Sequence, residues 1–217
     1  MPLKATVIPV TELAQNCTIF WCDETQRGVV VDPGGDVPLI LDAIKELGLK
    51  IEKILLTHGH FDHVGGAMDL SENLGVPIIG PHKDDEFITT QVEAAQKMYD
   101  LAGGRDVTGN TWLNEGDEVQ FGNVTLGVVH TPGHTPGHIV FYNQDANMAQ
   151  VGDVLFKGSI GRTDFPRGDL ATLEKSITQK LWPLGNDITF IPGHGPTSTF
   201  GEERATNPFV GDAALKS

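Results

Sequence analysis

The chain has 217 residues, enough to bury a sizeable core, and we expect a single domain over residues 1–217. Hydrophobic residues make up 39% and charged residues 20%, a balance that excludes a disordered or fibrous protein. The formal net charge of −14 has the wrong sign for binding a phosphate backbone, so we expect no nucleic-acid partner.

The sequence also bears on the cellular compartment. The first ten residues hold one lysine and lack an apolar stretch of signal-peptide length. No run of the sequence approaches the roughly 18 apolar residues of a membrane span, so no membrane partner is expected. Cys17 and Cys22 are spaced neither as a CxxC motif nor as half of a zinc site, and we interpret both as reduced thiols on a strand. Together these features predict a cytoplasmic protein.

The first half of the chain predicts a hairpin, a helix and a strand in that order. The hairpin covers residues 18–32, the amphipathic helix residues 37–48, and the apolar strand lies within residues 51–60. Asp36 is the expected N-cap of the helix, and Gly48 suits its end.

The second half repeats this order, with a hairpin over residues 138–153, a helix over 169–182 and a strand within 187–195. In both halves an aspartate follows the hairpin, Asp32 in the first and Asp153 in the second. Two such halves packed sheet to sheet, with helices outside, predict an α/β protein with a four-layer αβ/βα sandwich. Its functional residues would lie on loops at one edge, where the strands end.

Between the two halves, the stretch 83–102 also has a helical pattern and ends before Gly103 and Gly104. We therefore expect a helix there.

The segment His58-Gly59-His60-Phe61-Asp62-His63 follows the first apolar strand directly. It holds four potential metal ligands within six residues, with a glycine that lets the backbone turn. Imidazole and carboxylate are ligands that zinc, iron and manganese share, so this spacing predicts a metal site.

Three further candidate ligands lie at or just after apolar strands. They are His134 in TPGHTPGH, Asp153 in QVGDVLF and His194 in IPGHGP. We assign one ion to His58, His60 and His134, and a second ion to Asp62, His63 and His194, with Asp153 bridging both.

Other histidines and one aspartate receive supporting roles. His130 and His138 flank the third ligand histidine, and we expect them to be structural or to support a ligand. His82 opens a polar stretch and is interpreted as a surface residue. Asp32 is interpreted as a carboxylate that orients a ligand histidine, with an ordinary turn aspartate as the alternative.

These motifs resemble the metallo-β-lactamase superfamily and, within it, the small bacterial type II glyoxalases (hydroxyacylglutathione hydrolases). The stretches that carry the resemblance are VDPGG (31–35), ILLTHGHFDHVGG (54–66), TPGHTPGH (131–138), GDVLFKGSIGRTDFPRGD (152–169), IPGHGP (191–196) and ERATNPF (203–209). The resemblance implies two divalent metal ions per chain, zinc with iron or manganese as alternatives. It also implies cleavage of S-D-lactoylglutathione to D-lactate and glutathione, a step of methylglyoxal detoxification.

The sequence departs from the larger type II glyoxalases in its substrate-binding features. Those enzymes carry a C-terminal helical domain that helps to bind glutathione, and the short stretch after His194 leaves no room for it. Their basic and tyrosine pair after the bridging aspartate becomes Arg162 and Asp164 here, and Pro196 replaces a later tyrosine. The metal chemistry therefore carries over, and the recognition of glutathione does not.

The expected mechanism is hydrolysis by a water that two metal ions share. Metal binding lowers the pKa of that water from about 15.7 toward 7, and Asp62 would orient the resulting hydroxide for attack on a carbonyl carbon. A thioester suits the site because a thiol, with a pKa of about 8.5, leaves without a general acid. Lys157, Arg162 and Arg167 are candidate contacts for the carboxylates of glutathione, with a solvated loop as the alternative.

Several other functions share this fold. A persulfide dioxygenase would bind one iron through His58, His134 and Asp153, and a lactonase would use the full ligand set. Zinc β-lactamases with a thiolate ligand place a cysteine where Asp153 stands, and flavodiiron proteins place a glutamate where His60 stands. A non-enzymatic module would leave seven ligands unexplained. The oligomeric state stays open, and a monomer is compatible with the sequence.

Overall fold

The computed structural model describes residues 2–101 and 103–216 and contains two mixed β-sheets flanked by helices. The strands are β1 (Leu3–Val10), β2 (Gln15–Cys22), β3 (Arg27–Val31), β4 (Lys50–Leu55), β5 (Ile78–Ile79), β6 (Glu118–Phe121), β7 (Val124–His130), β8 (Ile139–Asn143), β9 (Met148–Gly152), β10 (Leu155–Phe156), β11 (Ser159–Ile160), β12 (Thr189–Pro192) and β13 (Ser198–Thr199). The α-helices are α1 (Val37–Glu46), α2 (Phe61–Val64), α3 (Ala67–Leu74), α4 (Glu86–Thr89), α5 (Val92–Met98), α6 (Leu170–Ser176) and α7 (Phe200–Thr206). Helical turns of other types are Lys83–Asp85, Ile177–Leu181, Trp182–Leu184 and Ala214–Lys216.

The two sheets have related topologies. The first has the strand order β1-β2-β3-β4-β5, and the second has the order β13-β12-β9-β8-β7-β6. In the first sheet β3 and β4 are parallel, as are β4 and β5. In the second sheet only β9 and β12 pair in parallel, and β10 and β11 form a separate two-stranded ribbon.

The sequence repeat corresponds to a structural repeat. In the first half the antiparallel pair β2–β3 is followed by α1 and then by β4, parallel to β3. In the second half the antiparallel pair β8–β9 is followed by α6 and then by β12, parallel to β9. Each half thus contains a hairpin and a strand–helix–strand crossover, as the sequence predicts.

Three buried apolar layers hold the molecule together. Phe20 from the first sheet and Phe141 from the second lie in the layer between the sheets. Ile40 of α1 packs with Ile54 on the outer face of the first sheet, and Leu173 of α6 lies in the layer outside the second sheet. Three apolar layers separate four layers of secondary structure, so the predicted αβ/βα sandwich is confirmed.

The start of α1 differs from the prediction. Asp36 lies at the N-cap position, but its backbone is left-handed (φ 47°) and its side chain makes no capping bond. Instead, its carboxylate accepts a hydrogen bond from the backbone N–H of Thr11 at 2.7 Å, and Pro38 pre-orders the first helical turn. The predicted N-cap position is therefore confirmed, but the capping hydrogen bond expected of its side chain is not formed. Gly48, with φ 67°, follows the helix end as expected.

The predicted helix over 83–102 is broken in the structure. It consists of a 3₁₀ turn, the single-turn helix α4 and the separate helix α5. The hydroxyls of Thr89 and Thr90 both donate to the carbonyl of Glu86, a competing bond that favours ending the helix. Residue 102, the last of this prediction, lies outside the described residues.

Two smaller predictions concern the cysteines and membrane spans. Cys17 and Cys22 are both buried free thiols on β2, as predicted. Among the described residues, every helix is too short or too polar to cross a membrane.

Candidate metal centre

One edge of the sandwich carries the loops that follow β4, β7, β9 and β12. β4 and β12 end in buried apolar residues and β9 ends in a glycine, so in these three the polar residues begin where the sheet stops, whereas β7 ends in the partly buried His130. The structure places all seven predicted ligands on these loops and on the adjoining helix α2: His58, His60, Asp62, His63, His134, Asp153 and His194.

Three imidazoles form a first group. His60 Nδ1 lies 3.1 Å from His58 Nε2 and 3.0 Å from His134 Nε2. A tetrahedral ion with bonds of about 2.0–2.1 Å needs ligand nitrogens about 3.3 Å apart, so this group fits one ion with little movement.

Hydrogen bonds orient these rings. The Thr57 hydroxyl donates to Asp32 at 2.6 Å, so it accepts from His58 Nδ1 at 3.0 Å. His134 Nδ1 donates to the carbonyl of Arg162 at 2.7 Å. In both rings Nε2 is therefore left with a free lone pair aimed at the group. Burial lowers the pKa of all three histidines, that of His60 to about 3, so they are neutral imidazoles at pH 7.

Asp62, His63 and His194 form the second group. Asp62 Oδ2 lies 3.1 Å from His194 Nε2 and 3.8 Å from His63 Nε2. His194 Nδ1 donates to the carbonyl of Leu13 at 3.1 Å, and His63 Nδ1 donates to Asp32 at 2.9 Å. In each ring Nε2 faces Asp62, so this group also presents its ligand atoms to one point.

Asp153 lies between the two groups. Its Oδ1 is 3.3 Å from His63 Nε2, and its Oδ2 is 3.6 Å from His134 Nε2 and 4.0 Å from His194 Nε2. Asp153 Oδ1 and His63 Nε2 are buried without a hydrogen-bond partner among the residues that the structure describes. Since buried polar atoms normally have partners, two orphaned lone pairs facing each other fit a cation there.

The electrostatics of the second group also favour a cation. Although burial acts in the opposite direction, His63 and His134 hold the pKa of Asp153 well below its usual range. Likewise, Asp153 and Asp62 raise the pKa of His63 despite the opposing effect of burial. The hydrogen bond to Asp62 raises the pKa of His194. This region therefore stabilises positive charge, which a divalent ion supplies.

Two glycines are required by close approach. A Cβ at Gly193 would lie 2.0 Å from Asp153 Oδ1, and a Cβ at Gly34 would lie 1.7 Å from the carbonyl of Asp62. Any larger residue at these positions would displace a candidate ligand.

The two predicted supporting residues lie beside the ligands. Asp32 is fully buried and accepts from Thr57 N at 2.7 Å, besides its bonds to the Thr57 hydroxyl and to His63. His138 stacks on His58 with ring centroids 4.6 Å apart, and its Nε2 accepts from the backbone N–H of Asp153 at 3.1 Å. Thus Asp32 contacts a candidate ligand ring, whereas His138 holds the backbone of the candidate bridging aspartate.

The three cationic candidates for substrate binding already have partners. Arg162 makes two 2.6 Å hydrogen bonds to Asp164, and its guanidinium lies 4.3 Å from the centroid of Phe165. Phe165 packs edge-on against His60 with centroids 4.7 Å apart, which places Arg162 at the rim of the first group. Lys157 lies 3.7 Å from a carboxylate oxygen of Glu202.

Arg167 stacks over Phe87 at 4.1 Å, with its backbone in the left-handed region at φ 66°. Of the three cations, Arg162 is thus the one that these contacts connect, through Phe165, to a candidate ligand.

A second cluster of possible ligands, His82, Asp84 and His130, does not form a comparable site. The two rings are stacked 4.2 Å apart and nearly parallel, so their in-plane lone pairs run side by side instead of converging. His130 Nε2 also donates a hydrogen bond to the carbonyl of Pro136, 2.8 Å away, as a structural residue would. His82, interpreted as a surface residue, is partly buried by this stacking.

Sequence reasoning missed Asp85, a buried carboxylate beside the first group of candidate ligands. It accepts hydrogen bonds from Gly59 N at 2.9 Å, from the Thr135 hydroxyl at 2.8 Å and from Gly137 N at 2.6 Å. Burial raises its pKa to about 6, against the effect of these three donors. Its neighbours in sequence, Lys83 and Asp84, make it read as part of a polar helix, so no local signal identifies it.

Comparison with known proteins identifies the family. The chain matches the metallo-β-lactamase superfamily over residues 10–194, a span that includes all seven candidate ligands. The chain belongs to the metallo-β-lactamase superfamily. The prediction of a metal-dependent hydrolase of this superfamily is confirmed.

The chain is 43% identical to the hydroxyacylglutathione hydrolase GloC of Haemophilus influenzae, over 96% of this chain and 98% of that protein. It is also 32% identical to the mitochondrial persulfide dioxygenase of Homo sapiens, over 85% of this chain and 67% of that protein. These relatives carry both the expected activity and its main alternative.

Two crystal structures are similar in fold to this chain. TTHA1623 in a di-iron-bound form has a TM-score of 0.86 and 35% identity, over 94% of this chain and 99% of that one. The B3 metallo-β-lactamase BLEG-1 has a TM-score of 0.87 and 32% identity, over 95% and 99%. A relative crystallised with two irons is in keeping with the His and Asp clusters of this chain.

Proposed function

We propose that this chain is a binuclear metal-dependent thioester hydrolase that cleaves hydroxyacylglutathione, foremost S-D-lactoylglutathione. The activity would reside in one domain over residues 1–217 and in the cytoplasm. The observation that carries the proposal is the position of Asp153, whose two oxygens face different ligand groups. The similarity to GloC supports the choice of a glutathione thioester as substrate.

In this proposal, each metal ion has its own ligands. His58, His60 and His134 hold the first ion, Asp62, His63 and His194 hold the second, and Asp153 contacts both. Imidazole and carboxylate donors without thiolate suit zinc, iron and manganese alike. Bound there, two such ions supply water acidified to react near neutral pH and a Lewis acid for the substrate carbonyl.

The residues around the ions prepare the reaction. Asp62 is a carboxylate at neutral pH because, although burial opposes it, His63 and the hydrogen bond from His194 lower its pKa. An ionised Asp62 accepts a hydrogen bond from the attacking water and fixes its direction. The glutathione thiolate leaves without a proton donor, because thiols have a pKa of about 8.5. The chain therefore needs no separate general acid for a thioester.

The proposal is tested by metal analysis together with substrate assays on the same preparation. We expect close to two metal ions per chain and hydrolysis of S-D-lactoylglutathione, followed by loss of the thioester absorbance. The same protein should consume no oxygen with glutathione persulfide and should not open a β-lactam or a homoserine lactone. One iron per chain with oxygen uptake, and no thioester turnover, would replace the proposal with a persulfide dioxygenase.

The pairing of Arg162 with Asp164 makes a specific prediction about glutathione binding. If the guanidinium contacts a substrate carboxylate, Arg162→Ala should raise KM by about two- to fivefold, the range of an exposed ion pair. The value of kcat should change little, because such a contact binds substrate and transition state alike. Asp164→Asn should lower KM, because it releases the guanidinium from its internal partner.

Both effects should shrink at high salt, which screens exposed charges. Lys4→Ala on β1 is the matched control for loss of one positive charge, and its KM should equal that of the wild type. Equal KM values in wild type, Arg162→Ala and Asp164→Asn would show that glutathione is held elsewhere.

A further inference from the structure

Asp85 connects two loops that are far apart in the sequence. It ends the 3₁₀ turn Lys83–Asp85 and is completely buried. One of its oxygens accepts from Gly59 N and from the Thr135 hydroxyl, and the other accepts from Gly137 N. A single carboxylate therefore bonds to both loops at once.

The donors lie directly beside the first group of candidate ligands. Gly59 stands between His58 and His60, and Thr135 follows His134. All three imidazoles of the first group thus lie on backbone segments that Asp85 holds. The second group is oriented by other acceptors, since His63 bonds to Asp32 and His194 bonds to the carbonyl of Leu13.

We infer that Asp85 is a positioning residue that sets the spacing of His58, His60 and His134 and so tunes the affinity of the first metal ion alone. The inference rests on the metal ligands of the proposed function and not on its substrate. It extends the support of the metal centre to a residue whose carboxylate bonds to the loops and, among the described residues, to none of the candidate ligand rings.

Packing fixes the place of Asp85 independently of its carboxylate. A Cβ at Gly137 would lie 2.5 Å from Asp85 N, and a Cβ at Gly59 would lie 3.3 Å from its carbonyl, so both loops pack directly on this residue. The backbone N–H of His82 also donates to the carbonyl of Gly137 at 3.1 Å. Backbone contacts therefore keep this segment beside the loop when the side chain is changed.

Asparagine at position 85 keeps the shape of the side chain but not its bonding. Its amide has one acceptor oxygen, and its NH₂ group would face a backbone N–H that needs an acceptor. At least one of the two loops would lose its hydrogen bond to residue 85. Leaving the donor of that loop buried and unpaired costs free energy, so we expect the loop to move. Because changes to groups that orient metal ligands weaken metal binding by about 10- to 100-fold, we expect a loss in that range.

The experiment measures zinc binding by competition with a chelator in six variants of the whole chain, which are two single variants and two additions to each. His194→Ala retains only the first group intact, and His58→Ala retains only the second. Adding Asp85→Asn to His194→Ala should weaken zinc binding by about 10- to 100-fold. Adding it to His58→Ala should leave zinc affinity within about twofold. Asp84→Asn, an exposed neighbouring carboxylate, is the matched control and should change neither background.

An equal loss of zinc affinity in both backgrounds would show that Asp85 serves the fold in general and would overturn the inference. Unchanged affinity in the His194→Ala background would overturn it as well. If Asp85→Asn fails to fold, Thr135→Val removes one of the three donors with little change in shape, and it should weaken zinc in the His194→Ala background only. If neither single variant binds zinc, the assignment of the ligands is wrong and the inference falls with it. The proposed substrate is tested separately, by the thioester and oxygen-uptake assays.

Discussion

His58→Ala and His194→Ala are each expected to lower thioester turnover by about a thousandfold or more, equivalent to about 4 kcal/mol of transition-state stabilisation. The two variants should lose different metal ions, because His58 lies in the first group and His194 in the second. Hydrolysis in the proposed function needs both ions, so loss of either ion removes most of the rate.

Metal content and melting temperature distinguish this result from unfolding. Each variant should retain about one ion per chain and should melt close to the metal-free wild type, because three apolar layers stabilise the sandwich without metal. Each variant is the control for the other. Near-normal turnover in His194→Ala would show that the second group is not needed for catalysis and would favour a mononuclear enzyme.

Much of the fold could be predicted because strong local patterns coincide with the structure. The apolar run before His58 is β4, and the run before His194 is β12. Each run is followed immediately by polar residues, so the strand ends and the candidate ligands are visible together. The repeated order of hairpin, helix and strand also predicted two similar halves.

The break within residues 83–102 could not be predicted from periodicity. The pattern there is helical, but the chain turns Asp85 into the interior, where its acceptors meet amides 26 and 52 positions away. A helical pattern of apolar residues reports only local spacing, so it cannot show that long-range hydrogen bonds override the helix here. For the same reason Asp85 was absent from the predicted site.

The predicted substrate contacts show a different limit. The sequence displays Arg162, Lys157 and Arg167 as a cationic run beside Asp153, the candidate bridging aspartate. It does not show that Arg162 folds onto Asp164, nor that Lys157 approaches Glu202. Charge in a sequence is counted residue by residue, whereas the charge offered to a ligand depends on pairing in space.

Asp153→Asn and Asp32→Asn are expected to differ sharply, although the two aspartates occupy related places in the two halves. In each half one residue after the hairpin has a left-handed backbone. In the first half this residue is Asp32 itself, whereas in the second half it is Gly152, one position before Asp153. Asp153 reaches between the ligand groups, whereas Asp32 bonds to the far side of His63. Asp153→Asn should therefore weaken both metal ions and lower turnover by about a thousandfold or more.

Asp32→Asn should weaken the second ion by about 10- to 100-fold, because it removes a charged acceptor from His63 Nδ1 without touching a metal position. The first ion should be weakened less, because Asp32 reaches His58 only through the Thr57 hydroxyl. Zinc titration and steady-state kinetics on both variants measure the difference. The matched control is Asp36→Asn, because among the residues that the structure describes the carboxylate of Asp36 bonds only to Thr11 N. Excess zinc should restore turnover to Asp32→Asn by mass action but not to Asp153→Asn, whose neutral amide cannot serve as an anionic ligand to both groups. Equal rescue of both variants by zinc would show that Asp153 supports its neighbours as Asp32 does and does not bridge two ions.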